Sequence, residues 1–194
     1  NNFVMSQVLN INVGFMGHVD SGKTSLSKCL SDIGSTAAFD KHPQSQERGI
    51  TLDLGFSSFK ADLPSHLHRT NKNTLQVTLV DCPGHASLFK TVIGGSKIID
   101  MILLVIDITH GIQVQTAECI LLAEILARPV LVALNKVDRL DKNVRDHLVL
   151  QEKMKISKIL SKTALKIINI VSVSAALSSS SDEDLKYHPN VLKT

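Results

Sequence analysis

Short β-branched apolar runs alternate along this chain with longer stretches in which apolar residues recur every three or four positions. The pattern predicts a strand over 10–16, a Gly-rich turn, and a helix over about 24–32. Residues 52–59 and 75–80 read as two further strands, the first of them exposed. The wholly apolar stretch within 98–106 suits a central parallel strand buried on both faces. Ala117, Ile120, Leu121, Ile125 and Leu126 fall at helical spacing and predict a helix over 115–127. A buried strand over 129–134, a long helix over 143–165 and a last strand over 167–173 complete the pattern. Strand and helix in alternation mean an α/β domain with a mostly parallel sheet covered on both faces.

Two stretches do not fit this alternation. Residues 33–50 are rich in Ser, Thr, Asp, Gln and Gly without periodicity, and structureless loops of that length inside a domain are usually functional. The Ser-rich acidic run over 178–184 reads as a solvated linker, and no internal repeat is found. At 194 residues and 43% hydrophobic the chain has the size and core of one domain. A net charge of +3 excludes a protein held to nucleic acid mainly by its overall charge. Aromatics at 4%, with no Trp, disfavour a stacking platform for single strands.

Cys29, Cys82 and Cys119 are widely spaced, with no zinc spacing and no framework of bridges, which suits reduced thiols. The longest apolar runs, 101–106 and 129–134, are too short to cross a bilayer, so no membrane partner is expected. The first five residues carry neither a basic start nor a long apolar stretch, so a cytoplasmic location is expected. The chain opens on Asn1, which leads us to expect residues before it.

The chemistry starts at Gly17, His18, Val19, Asp20, Ser21, Gly22, Lys23 and Thr24, which have the spacing of a phosphate-binding P-loop between a strand and a helix. Glycines let the backbone wrap close to phosphate oxygens, and successive N–H groups at the helix start face the anion. Lys23 would place its ammonium between the terminal phosphates, and the Thr24 hydroxyl would reach Mg2+. The nucleotide-binding set therefore comprises Val19, Asp20, Ser21, Gly22, Lys23, Thr24 and Ser25.

Asn135, Lys136, Val137 and Asp138 follow the strand over 129–134. An Asp carboxylate accepts from both N1–H and the 2-amino group of guanine, whereas adenine would leave it desolvated and unpaired. Asn135 would brace the loop and the Lys136 stem would cover the base face, so the nucleotides expected are GTP and GDP. Asp81, just after the strand over 75–80, lies where a direct or water-mediated magnesium carboxylate is needed. Gly84 would offer its N–H to the γ-phosphate, a bond lost on hydrolysis. His85, beside it, is the candidate catalytic residue, orienting or polarising the attacking water. Thr51 would supply a hydroxyl to Mg2+ and a carbonyl to that water, so 33–51 reads as a first switch and 81–97 as a second.

With these residues in place the chain resembles a translational GTPase of the elongation factor Tu type, and more narrowly the selenocysteine-specific elongation factors of eukaryotic type. The narrower likeness rests on Ser35 through Lys41, on Glu47 through Phe56, on Gly84 through Leu88, and on Ile93, Gly94, Gly95, Ile99 and Asp100. It runs from about Ile11 to Val173. The resemblance implies a P-loop G domain whose mostly parallel six-stranded sheet has one antiparallel edge strand. It implies Val19 and Ile50 as an apolar gate that keeps His85 from the water until the ribosome engages. It also implies that Ser174, Ala175 and Ala176 form the last base-contacting loop, with a backbone N–H near guanine O6.

As partners the resemblance implies the ribosome, selenocysteinyl-tRNA held by β-barrel domains beyond these residues, and a protein that binds selenocysteine-insertion RNA. On this reading 1–194 is a single, monomeric G domain of a longer protein, and Pro189 to Thr194 opens its closing helix. Two other readings stay open: a general elongation factor or initiation-factor γ subunit, and a GTP-regulated binding module that hardly hydrolyses GTP. Lys155, Lys158, Lys162 and Lys166 would share one face of the helix over 143–165 and its end, as an RNA contact or simply a solvated face. No chemistry is assigned to 61–73, nor to His42, His66, His68, His110, His147 and His188.

Overall fold

Apolar runs that are β-branched and uninterrupted can be satisfied only between two covering layers, and the chain builds its sheet around two such strands. The computed structural model describes residues 8–31, 55–65, 72, 74–81, 99–176 and 187–192. In chain order these form β1 (Val8–Met16), α1 (Lys23–Leu30), β2 (Gly55–Asp62), β3 (Thr74–Asp81) and β4 (Met101–Asp107). They continue with α2 (Val114–Leu126), β5 (Val130–Asn135), α3 (Arg145–Leu160) and β6 (Ile167–Ser172). The sheet has six strands in the order β2-β3-β1-β4-β5-β6. All neighbours are parallel except the edge strand β2, which runs antiparallel to β3.

Alternate residues of β4 feed opposite cores. Ile102, Leu104 and Ile106 pack with Cys119, Leu122 and Ala123 of α2 and with Val149, Ile156 and Leu160 of α3. Leu103 and Val105 pack with Phe15, Leu26 and Leu30 on the α1 side. The same division separates Met16 from Val13 and Phe15 on β1. Gly14 sits where β1 passes Ile99, with its side chain 2.8 Å from the place a Cβ would take. Because β1 has β3 on one side and β4 on the other, the strand order reverses there. A cleft opens at the carboxyl ends of the strands, the usual ligand position in open α/β sheets.

Three expectations need correction. The helix expected over 143–165 spans only Arg145–Leu160. At its start Asp141 accepts from the Asn143 and Val144 N–H groups, which keeps both residues in a turn. At its end the Ser161 and Thr163 hydroxyls donate to Lys158 O and Leu160 O, at 2.9 and 2.6 Å, and compete with further helix. Glu124 of α2 then takes the Ala164 N–H at 2.7 Å. Lys162 and Lys166 therefore leave the helix, so the four lysines do not make one helical face; Lys155 pairs with Glu152 at 2.6 Å.

The strand expected over 52–59 is described from Gly55 and runs on to Asp62, because β3 pairs with it from Gly55 opposite Asp81 to Asp62 opposite Thr74; residues 52–54 lie outside the described residues. Within it Lys60 and Asp62 are exposed while Phe59 is buried, as suits an edge strand. The strand expected over 98–106 begins at Met101, since Asp100 is tied back to Asn12 by its N–H and its carboxylate. Residues 189–192 form one 3-10 turn, with Leu192 packed on the α1 side of the sheet. The candidate switch I (33–51), the acidic run over 178–184 and residues 82–97 of switch II lie outside the described residues. Among the described residues no helix is long and apolar enough to cross a membrane.

α2 stops in a left-handed residue, Ala127 at φ 51°, whose N–H bonds Ala123 O and Glu124 O. An exposed non-glycine residue there carries a steric cost of about 1–2 kcal/mol. Ala127→Gly is therefore expected to raise unfolding free energy by about 1 kcal/mol in urea titrations. A loss of stability would contradict the left-handed cap.

Candidate functional site

The loop after β1 owes its path to two glycines. A side chain on Gly17 (φ 151°) would run into the Val105 carbonyl, and one on Gly22 (φ 90°) into the Asn135 amide. Asp20 between them is also left-handed, at φ 61°. Gly22 is the N-cap of α1 and offers no side-chain bond, and no acidic residue lies in the first turn. The first N–H groups of the helix thus stay available to an anion. Lys23 folds across the loop, its Nζ donating to Gly17 O at 3.0 Å and His18 O at 2.9 Å. A cleft of about 700 Å³ runs along the loop from His18 to Ser25 and is closed by Asp107, His110, Lys136 and Arg139.

Parallel pairing brings Asp81, the last residue of β3, level with Phe15 and so beside this loop. Its Oδ2 accepts the Thr24 hydroxyl at 3.0 Å. A hydroxyl and a carboxylate in contact at the mouth of a phosphate loop are hard oxygen donors of the kind that suits Mg2+. Val19, expected in the apolar gate, is 52% exposed. Its N–H donates to Oε1 of Gln115 at 2.9 Å, so the first turn of α2 holds the loop from the side. Ser25 is exposed on the cleft.

Asn135 ends β5 and is 1% exposed. Its Nδ2 donates to Ser21 O at 2.9 Å and its Oδ1 accepts from Ala175 N at 3.3 Å. One side chain thus connects the phosphate loop with the loop that follows β6. Lys136 is left-handed, at φ 68°, which turns the chain into a short 3-10 turn, Val137–Arg139. There Asp138 accepts the Ser174 hydroxyl on Oδ1, so the two expected base-contacting loops meet directly. Neither Asp138 nor Ser174 lines the cleft described above; they meet beyond Asn135.

Three residues escaped the sequence reading. Gln115 is one, through the Val19 contact. Tyr187 is another: its carbonyl accepts the Ser174 N–H at 2.8 Å and its hydroxyl donates to Asp146 at 2.7 Å. Burial, and then the Asp146 acceptor, push its phenol up to about 12. The third is Asp107, which closes the apolar run of β4 opposite Asn135. Burial alone would raise its carboxyl, but hydrogen bonds from Lys136 and Thr109 outweigh this and hold it at about 2. A charged residue ending an otherwise apolar strand was the available signal. Ile50, Thr51, Gly84 and His85 lie outside the described residues, so their expected roles are not placed by the structure.

Residues 9–187 match the family described as elongation factor Tu GTP binding domain. The chain is 51% identical over 167 residues to the selenocysteine-specific elongation factor of Mus musculus, covering 86% of this chain and 29% of that protein. It superposes on the apo crystal structure of translation elongation factor SelB from Methanococcus maripaludis with a TM-score of 0.66 and 33% identity, covering 97% of this chain and 35% of that one. The same factor in complex with the GTP analogue GppNHp gives a TM-score of 0.63 and 32% identity, covering 97% and 34%. The chain therefore spans about a third of the length of each relative. With its sheet order, its phosphate loop and the Asn135 junction accounted for by a match over 9–187, the chain belongs to the elongation factor Tu GTP-binding domain family.

Proposed function

We propose that this chain is the GTP-binding and GTP-hydrolysing domain of a factor that carries selenocysteinyl-tRNA to the ribosome. The observation that carries the nucleotide reading is the Asn135 carboxamide, which joins the phosphate loop to the base loop across a buried junction. Support for the cargo is the 51% identity to the mouse selenocysteine-specific factor. The tRNA itself would be held by parts of the protein beyond this domain.

In this reading Lys23 exchanges its carbonyl partners for the terminal phosphates, and the N–H groups of 19–25 surround them. Asp138 accepts from N1–H and the 2-amino group of guanine, while the Ser174 hydroxyl fixes its rotamer. A backbone N–H of the loop from Ser174 to Ala176 approaches O6. Thr24 and Asp81, together with Thr51, hold Mg2+, which when bound neutralises charge on the β- and γ-phosphates. Gly84 senses the γ-phosphate. His85 orients the attacking water, and Val19 and Ile50 keep it away until a ribosome engages. A cytoplasmic location fits these partners.

Two measurements test this reading. Asp138→Asn is expected to weaken GDP binding roughly 100-fold or more, from the loss of two charge-assisted hydrogen bonds. It is also expected to turn preference toward xanthine, whose C2 carbonyl needs a donor, and titrations with GDP and XDP read both effects. Equal binding of GTP and ATP by the unmodified chain would refute the base assignment. His85→Ala in the full-length protein is expected to leave GTP affinity within about twofold. Single-turnover hydrolysis on ribosomes is expected to fall by roughly 100-fold or more. Unchanged stimulated turnover would reject His85 as the catalytic residue.

A further inference from the structure

Asp107 lies at the end of a strand whose residues 102–106 are all buried and apolar, where a charge is costly unless it is fully paired. Every visible partner of its carboxylate fixes its orientation. Oδ1 accepts the Thr109 N–H at 2.9 Å and the Thr109 hydroxyl at 2.6 Å. That leaves Oδ2 aimed at the Lys136 ammonium, 2.7 Å away, with His110 Nδ1 at 3.2 Å as a second neighbour. The side chains of Lys136 and Asp107 are only 17% and 10% exposed, so water screens this pair little.

The course of the lysine between its two ends gives the contact a consequence. Lys136 leaves the base loop from a left-handed backbone. Its Cε then passes 3.9 Å from the position a Cβ on Gly22 would take, over the N-cap of α1. Its methylenes therefore cross from the Asn135 loop over the phosphate loop to the end of β4, and both Lys136 and Asp107 line the cleft. A free lysine stem samples many rotamers, and ordering it on ligand binding costs about 1.5–2 kcal/mol. Held at its tip, it is already ordered.

We infer that Asp107 is a positioning residue for nucleotide binding: its carboxylate pins Lys136 so that the lysine stem forms a fixed apolar wall over the base side of the cleft. The inference rests on the nucleotide reading above. On that reading the stem would cover the face of the base rather than its edge or the γ-phosphate, so its anchoring should act alike on GTP and GDP.

The test is a double-mutant cycle on dissociation and equilibrium binding of fluorescent GDP and GTP, using the chain as it stands. Asp107→Ala is expected to weaken both nucleotides by the same factor, about 5- to 30-fold. Lys136→Ala should weaken both at least as much, and adding Asp107→Ala to it should change affinity by less than about twofold. Asp107→Asn, which keeps the shape and an acceptor for Thr109, should fall between the unmodified chain and Asp107→Ala. It serves as the folded variant should the alanine chain not fold.

Equal losses from Asp107→Ala with and without Lys136 would overturn the inference, as would an unchanged affinity. A loss confined to GTP would also overturn it. If the unmodified chain fails to bind either nucleotide, the nucleotide reading falls and takes this inference with it. If it binds both normally but the two substitutions are uncoupled, only the inference falls.

Discussion

The buried Asn135 carboxamide commits one donor and one acceptor to two different loops. At 1% exposure, leaving either end unpaired would cost about 1–3 kcal/mol, so the Ser21 carbonyl and the Ala175 N–H are held where it needs them. That constraint reaches outward in both directions. Ser21 lies between left-handed Asp20 and Gly22, so fixing its carbonyl fixes the turn into α1. Ala175 follows Ser174, so the same bond brings the Ser174 hydroxyl to Asp138. Gly22 must remain glycine because a side chain there would strike the Asn135 amide.

The polar groups of the site have a common origin in the sheet. β1, β3, β4 and β5 run parallel, so the ends of all four emerge at one edge. There Asp81, Asp107 and Asn135 each close a strand whose preceding residues are largely apolar. The strand interiors supply the hydrophobic burial and hold a polar group only where it is paired, as Thr78 is with Asn10. The last residue of each strand is the first to meet the loops at this edge, where its polarity has partners. Asp81 meets Thr24, Asp107 meets Lys136, and Asn135 meets Ser21. Reversal of the strand order at β1 leaves this edge uncovered by a crossover, and the phosphate loop occupies it.

Most of the element pattern was legible in the chain, and the errors were of one kind. β4 and β5 are apolar up to their last residues because both faces are covered, and such runs read as buried strands from local sequence alone. α3 was read too long because residues 143–165 keep helical composition, while its ends depend on side chains bonding particular backbone groups. Glu124 of another helix is one of those groups, and it is 40 residues away from Ala164. β2 ends three residues beyond the expected Phe59 because an edge strand continues as far as its neighbour pairs with it. The lysine row across 155–166 failed with the helix, since spacing implies a shared face only where the helix continues.

The site divides in the same way. The sequence by itself determined the loop with Gly17, Gly22, Lys23 and Thr24 and the loop with Asn135 and Asp138, because each is a local motif whose backbone needs are written in consecutive residues. Asp81 was recognisable from its place directly after a strand. Only the tertiary structure decided that Asn135 joins Ser21 to Ala175, that Ser174 holds Asp138, and that Tyr187 holds Ser174 in turn. It alone decided that Asp107 faces Lys136 and that Gln115 supports Val19. These contacts join residues from 13 to 114 positions apart along the chain, and no local pattern encodes such a pairing. They follow from parallel strands ending side by side, where each buried polar group must find a partner and the nearest one belongs to a different strand or loop.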